Sequence, residues 1–131
     1  MSKVINTQGK RKAAIARASL KAGKGKVTFN GQILSALNND ILKLRISEPL
    51  VLAEELAQNI DLDINVIGGG ISGQADAARL AMARALVQYD NKLRVIFEDY
   101  DRLLLVADVR RKETCKPNDS KARAKRQKSY R

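Results

Sequence analysis

The stretch AAIARASLKAG, residues 13–23, decides the fold, because two readings of it compete. Its alanines favour a helix, and Gly23 stands where a helix C-cap would fall. Yet Ala14, Ala16, Ala18 and Leu20 alternate with Ile15, Arg17, Ser19 and Lys21, the period of a half-buried strand. The residues after it favour the strand: a Gly-Lys-Gly turn at 23–25, then KVTFN, then Asn30-Gly31, a dipeptide suited to a tight hairpin turn. As a strand, the stretch turns small apolar side chains to one face and Arg17 and Lys21 to the open one.

Working outward, TQGKRK at 7–12 breaks the N-terminal stretch with a glycine and three cations. Residues 33–58 show a helical pattern in two pieces, divided at Ser47-Glu48-Pro49, with the proline in the first turn of the second piece. DLDINVI at 61–67 alternates cleanly: Asp61, Asp63 and Asn65 to water, Leu62, Ile64 and Val66 inward. It runs into Gly68-Gly69-Gly70 and a long helix expected from about Ser72, a natural N-cap, to Tyr89. Ala75, Ala78, Met82, Leu86 and Tyr89 form its expected buried stripe. A short helix at 92–100 and a buried strand RLLLVAD at 102–108 complete the body. Past Lys112 nothing apolar recurs, and no element is expected there without a partner.

Charge divides the chain more sharply than pattern does. Residues 1–26 carry eight cations and no acid, and 110–131 carry ten cations against Glu113 and Asp119. The stretch between holds seven cations and twelve acids. A mildly acidic body with two basic arms reads as polyanion binding. The hydrophobic fraction of 44% supports one folded domain, and with only 4% aromatic residues its core is aliphatic. Cys115 is the one cysteine, so no disulfide framework is expected and a reducing compartment fits. The N-terminus lacks the apolar run of a signal peptide, and LLLVA is far short of a membrane span. A cytoplasmic protein without membrane contact is the expectation.

GGGISGQADAARLAMARAL, residues 68–86, contains a literal GxGxxG at Gly68, Gly70 and Gly73. Dinucleotide binding is disfavoured. The first strand of that fold is apolar throughout, and its acid ends a second strand, whereas Asp90 ends a helix. Two readings stay open: glycines for a tight turn and close packing, or bare backbone and helix N–H groups approaching a nucleic-acid phosphate. Arg79 and Arg84 fall outside the apolar stripe, where either reaches a phosphate or is merely solvated. With no histidine, the commonest general base is absent. Cys115 lies between Lys112 and Lys116 without a base, so it reads as an incidental thiol. Asp61 and Asp63 share a strand face and read as solvated rather than as a cation site. No metal and no cofactor is expected.

Four stretches fall in order along the chain: Gly9-Lys10-Arg11-Lys12 with Ala16-Arg17-Ala18; Gly23-x-Gly25 with Asn30-Gly31; Gly68-Gly69-Gly70-x-x-Gly73-Gln74 through Arg84-Ala85-Leu86; and Asp108-x-Arg110-Arg111-x-Glu113-x-x-Lys116-Pro117-Asn118 leading to Tyr130-Arg131. Together they resemble the ninth-protein family of the small ribosomal subunit. The ending Gln-Lys-Ser-Tyr-Arg resembles the archaeal and eukaryotic branch. Residues 31–48 match loosely, and Cys115 stands where a polar or basic residue is expected.

The resemblance implies an α+β fold: a two-layer α/β sandwich, a mostly antiparallel sheet backed by helices, with a left-handed βαβ crossover and a long extended basic C-terminal tail. It implies a globular part at 1–110 and an RNA-threading tail at 111–131. Its function is that of a structural constituent of the small subunit, not an enzyme. The partners implied are ribosomal RNA of the subunit head, neighbouring ribosomal proteins and peptidyl-site transfer RNA. Residues expected on ribosomal RNA are Lys10, Arg11, Lys12, Arg17, Gly68, Gly69, Gly70, Gln74, Arg79, Arg84, Arg110, Arg111, Lys116, Lys121, Arg123, Lys125, Arg126 and Lys128. Ser129, Tyr130 and Arg131 are expected on transfer RNA. The alternatives are a generic cationic-arm nucleic-acid binder and a phosphotransferase of similar fold, for which neither a nucleotide pocket nor a base can be named.

Overall fold

In the computed structural model, which describes residues 3–124, five strands form one mixed sheet and three α-helices accompany it. The strands are β1 (Ile5–Arg11), β2 (Ala14–Ala22), β3 (Val27–Phe29), β4 (Gln32–Ile33) and β5 (Ile60–Ile67). The helices are α1 (Asp40–Ala53), α2 (Ile71–Tyr89) and α3 (Leu93–Tyr100). The sheet order is β1-β2-β5-β3-β4, antiparallel except where β3 runs parallel to β5. The fold is α+β.

Residues 13–23 are strand. In β2, Ala14, Ala16, Ala18 and Leu20 are buried, while Arg17, Ser19 and Lys21 are exposed. Propensity loses here because only a strand turns that whole apolar set to one side, against α2. Asn30 and Gly31 both take positive φ, +50° and +82°, and join β3 to β4 in the turn those residues favour. Although consecutive, β2 and β3 are not partners: β5 lies between them, and its Leu62, Ile64 and Val66 complete the buried face.

Residues 7–11, read as a break, belong to β1 instead. Gly9 marks a close approach there. A Cβ on it would collide with the Ala77 carbonyl oxygen of α2. The threonine two residues earlier donates to the Ala81 carbonyl at 2.7 Å. This intimacy explains the alanines of α2, where Ala75, Ala77, Ala78, Ala81, Ala83 and Ala85 are all buried.

Three further expectations are corrected. The helical region does not divide at Ser47-Glu48-Pro49, because α1 runs through a buried Pro49. Ser47 lies in that turn and its hydroxyl donates to the Lys43 carbonyl at 2.6 Å. The break comes at Glu54, whose φ of +48° ends the helix. Second, α2 is capped by Gly70, not Ser72, and Tyr89 is exposed rather than part of its buried stripe. Third, 102–108 is not a strand. Asp101 accepts from the Leu103 amide at 2.9 Å and nucleates a 3-10 turn over Arg102–Leu104. This segment packs on α2 and α3, not at a sheet edge, and Leu104 alone of its run is fully buried.

Candidate nucleic-acid interface

Three stretches far apart in sequence meet beside the start of α2. The first is the two-residue turn between β1 and β2, where Arg11 pairs with Ala14 and Lys12 takes a φ of +53°. The second is the glycine turn. Gly68 and Gly69 have φ of +76° and +67°, and a Cβ at Gly68 would stand 2.6 Å from the Ala13 carbonyl oxygen. A Cβ at Gly69 would stand 2.9 Å from the Ala14 nitrogen. These two glycines therefore serve the close packing of one turn on the other. Gln74 braces the arrangement by donating from Nε2 to the Gly68 carbonyl at 3.1 Å. Gly70 differs: its φ is −100°, and nothing lies within 4 Å of where its Cβ would be. No side chain caps α2, so its first N–H groups open on an exposed surface.

The third stretch is 108–112, the root of the C-terminal tail. Asp108 Oδ2 lies 2.9 Å from Arg11 Nη1 and accepts from Arg110 Nη2 at 2.7 Å, while its Oδ1 accepts the Arg110 amide at 2.9 Å. Arg111 Nη1 donates to the Lys12 carbonyl at 2.9 Å, tying tail root to turn. From α2, Asp76 Oδ1 holds Arg45 at 2.8 Å, and its other oxygen lies 3.7 Å from Arg11 Nε. The guanidinium and amide of Arg110 hold the Asp108 carboxyl well below the usual carboxylate range, and the Arg11 charge adds to this against a burial effect. Asp108 thus stays ionised and fixes the arginines around it.

Between turn and tail root lies an open cleft of about 710 Å³ lined by Arg11, Lys12, Ala13, Arg110, Arg111 and Lys112. Among the described residues, Lys12 and Lys112 enter no ion pair, and both are exposed. Point charges on flexible stems beside guanidinium forks held in place are the donor chemistry that suits a phosphate.

Lys10 pairs with Ile15 just before the turn, and Arg11, Lys12, Gly68, Gly69, Gly70, Gln74, Arg110 and Arg111 are thus brought together. Arg17 is not: it stands on the open face of the sheet opposite Asn65. The expectation that Arg79 lies on an outer face is corrected. It is 4% exposed, with Nε 2.7 Å from Glu48 Oε2 and Nη2 donating to Asp101 Oδ2 at 2.8 Å. Its Nε–H does not point at the Glu48 oxygen, so that contact is ionic without a hydrogen bond. Arg84 is likewise taken up, donating to the Gln8 carbonyl at 2.8 Å and to the Leu105 carbonyl at 3.2 Å. Both arginines hold the tail's approach to the body.

Along the tail, Lys116 and Lys121 are exposed, and Arg123 forks onto Glu113 at 2.6 and 3.0 Å. Lys125, Arg126, Lys128, Ser129, Tyr130 and Arg131 lie outside the described residues. Cys115 is exposed. Asp61 is not simply solvated: it accepts the Lys24 and Lys26 amides at 2.9 and 3.0 Å, which hold its carboxyl below the usual range. Asp63 accepts from the Thr28 hydroxyl at 2.7 Å. Among the described residues no cluster of three metal-ligating side chains occurs, and no helix is long and apolar enough to cross a membrane.

The family model described as ribosomal protein S9/S16 matches residues 9–131. The chain belongs to the ribosomal protein S9/S16 family. Small ribosomal subunit protein uS9 of Thermoplasma volcanium is 50% identical over 129 residues, covering 97% of this chain and 98% of that one. The protein of the same name from Methanococcus maripaludis is 49% identical over 133 aligned positions, covering 98% and 99%. That of Methanothrix thermoacetophila is 44% identical over 131, covering 98% and 99%. The S9/S16 match includes all three stretches that meet at the cleft. Sequence reasoning named most of their cations and missed Lys112, which lines the cleft, and Asp76 and Asp108, which aim the arginines. The spacing Asp108-x-Arg110 was the one available signal for these.

Proposed function

We propose that this chain is a structural constituent of the small ribosomal subunit whose cleft and tail bind ribosomal RNA by phosphate neutralisation. Membership of the S9/S16 family, with relatives named small ribosomal subunit protein uS9 along nearly the whole chain, supports the placement. The observation that carries the RNA reading is the convergence of Lys12, Arg110, Arg111 and Lys112 around one open cleft, next to the turn on which the uncapped start of α2 packs. The ribosome in the cytoplasm is its place of work, and neighbouring proteins of the subunit head are its further partners. It acts by binding rather than by catalysis, a reading supported by a chain without histidine and a fold whose acids hold arginines and loops.

In this reading residues 1–110 form the body, with a left-handed sense to the β3-to-β5 crossover, and 111–131 form an arm that threads RNA. From Lys112 the arm's length, about 65–70 Å when extended, suffices to carry Tyr130 and Arg131 from a docked body to transfer RNA at the peptidyl site. Contacts of this kind position the protein and carry little sequence information.

Salt dependence tests the RNA reading. If about 8–10 of the arm cations meet phosphates, the log–log slope of RNA affinity against salt is about −6 to −9. Lys12→Gln with Lys112→Gln removes two lysines that hold nothing in the fold. It should flatten that slope by about two and leave thermal stability unchanged. An unchanged slope would remove the cleft from the interface.

A further inference from the structure

The outer face of α1 carries a stripe that the RNA reading does not use. Ile41, Leu44 and Val51 fall at helical spacing on the side opposite the buried Ile46, Pro49 and Ala53, and they are 81%, 70% and 71% exposed. Ile41 and Leu44 are neighbours on that line and Val51 follows two turns on, past Glu48, which is turned to Arg79; together they are an unpartnered apolar surface.

Charge says what covers it. The flanking side chains Asp40, Glu54 and Glu55 make no ion pair among the described residues. Both cations of the helix are turned to other duties: Lys43 donates to the Ser35 carbonyl at 3.3 Å, and Arg45 is held by Asp76. A surface of methyl groups bordered by carboxylates repels an RNA backbone, whose affinity depends on lysine and arginine. A second copy of the chain would set the same acids against one another, which disfavours self-pairing. The chain's own tail is basic, but past Lys112 it offers no apolar run to lay along the stripe.

We propose that this face of α1 docks a polypeptide segment of a neighbouring protein that is rich in lysine and arginine and carries apolar side chains at intervals. The proposal rests on residence in the small subunit, and not on which RNA the cleft meets. Apolar anchors fill the Ile41–Leu44–Val51 line, and the cations reach Asp40, Glu54 and Glu55, which sets register and orientation.

The test uses Leu44→Cys in a Cys115→Ser background, expressed in cells and purified within intact small subunits. Maleimide labelling of L44C is expected to be slower in subunits than in the free chain by about tenfold or more, the mark of a side chain shielded from water. A benzophenone maleimide attached to the free chain before reconstitution is expected to cross-link to a lysine- and arginine-rich peptide identified by mass spectrometry. Labelling as fast as in the free chain, or cross-linking to RNA or to an acidic peptide, would overturn the proposal while leaving the ribosomal reading intact. Absence of the chain from the subunits would overturn both.

Discussion

Replacing Arg79 by methionine tests how the tail's approach is held to the body. Arg79 leaves α2 in a 4% exposed position and meets two carboxylates, Glu48 of α1 and Asp101 just past α3. Methionine keeps most of the packing volume and removes the charge. Taking one member from a buried ionic group costs about 3–5 kcal/mol, because the others are left uncompensated. Here the side chains of Glu48 and Asp101 are 26% and 34% exposed and can turn towards water. The expected loss is therefore smaller, about 2–3 kcal/mol. For a chain of this length that is a fall in Tm of about 6–15 °C.

Urea unfolding of the full chain at neutral pH measures it, with an unchanged m-value showing that the folded and unfolded states keep their exposure difference. Acid provides the second reading. Burial pushes the Asp101 carboxyl up, but hydrogen bonds from Arg79 and the Leu103 amide, with the charges of Arg79 and Arg45, outweigh it and hold the group below the usual range. A carboxyl lowered by folding contributes stability that is present above its unfolded pKa and lost as pH falls through the folded one. In R79M the Asp101 carboxylate has lost its guanidinium partner, so protonating Asp101 costs the variant less stability than it costs the parent. The gap between them should therefore hold from neutral pH to about pH 4 and narrow below it. The combined variant R79M/E48Q/D101N should recover much of the loss. A cost in R79M below about 1 kcal/mol, or a combined variant no better than R79M, would refute the ionic account.

The glycine turn separates packing from binding: Gly68→Val should lower Tm sharply, since φ is +76° and the Ala13 carbonyl blocks the Cβ, whereas Gly70→Val should leave Tm nearly unchanged and weaken RNA association. A matched loss of Tm in Gly70→Val would return that residue to a packing role. Asp108→Asn should free the tail root, read as faster exchange of the Arg110 amide. In the parent, that amide should keep its protection from about pH 7 to about pH 4, because the depressed Asp108 carboxyl is still ionised there. Deleting residues 129–131 should leave incorporation into small subunits near normal and weaken peptidyl-site transfer RNA binding by about 1–2 kcal/mol, measured at fixed salt; unchanged binding would mean the terminus does not reach that site.

Elements whose residues repeat with one period were legible in the sequence. β2 and β5 emerge because a single face of each is buried, α2 because a long alanine-rich run follows a glycine turn although it is buried nearly all round at 77–83, and Asn30-Gly31 because its turn demands positive φ at both residues. β1 was hidden by Gly9, which looks like a breaker until α2 is known to pass within a carbonyl's reach of it. The continuity of α1 was hidden by Pro49, which costs one backbone hydrogen bond that the packing of the helix outweighs. LLLVA misled because an apolar run of that length fits a strand or a turn pinned by one buried leucine, and periodicity cannot separate them. At the site, the basic motifs stood out one by one. The fate of Arg79 did not, because its partner Asp101 is twenty-two residues away and only the packing of α3 brings the two together.

The acids of this body explain how so basic a chain presents an ordered cationic surface. Lysines and arginines crowded around one cleft repel, and long side chains lose freedom when a ligand fixes them. Asp108 lessens both costs for Arg110. It engages Nε and Nη2, while Nη1 keeps its donors for an incoming phosphate. Arg111 spends Nη1 on the Lys12 carbonyl and keeps the other edge of its fork. Asp76 accepts from Arg45 Nε at 2.8 Å and lies 3.7 Å from Arg11 Nε, a contact of charge alone. In the proposed RNA reading, guanidinium groups partly held by the protein leave fewer side chains to order on binding, a gain by preorganisation. The lysines at 12 and 112, free to swing, would supply the adjustable part of the contact. Such an arrangement needs carboxylates beside the interface, and on that reading it accounts for acids at 76 and 108 bordering the proposed polyanion surface.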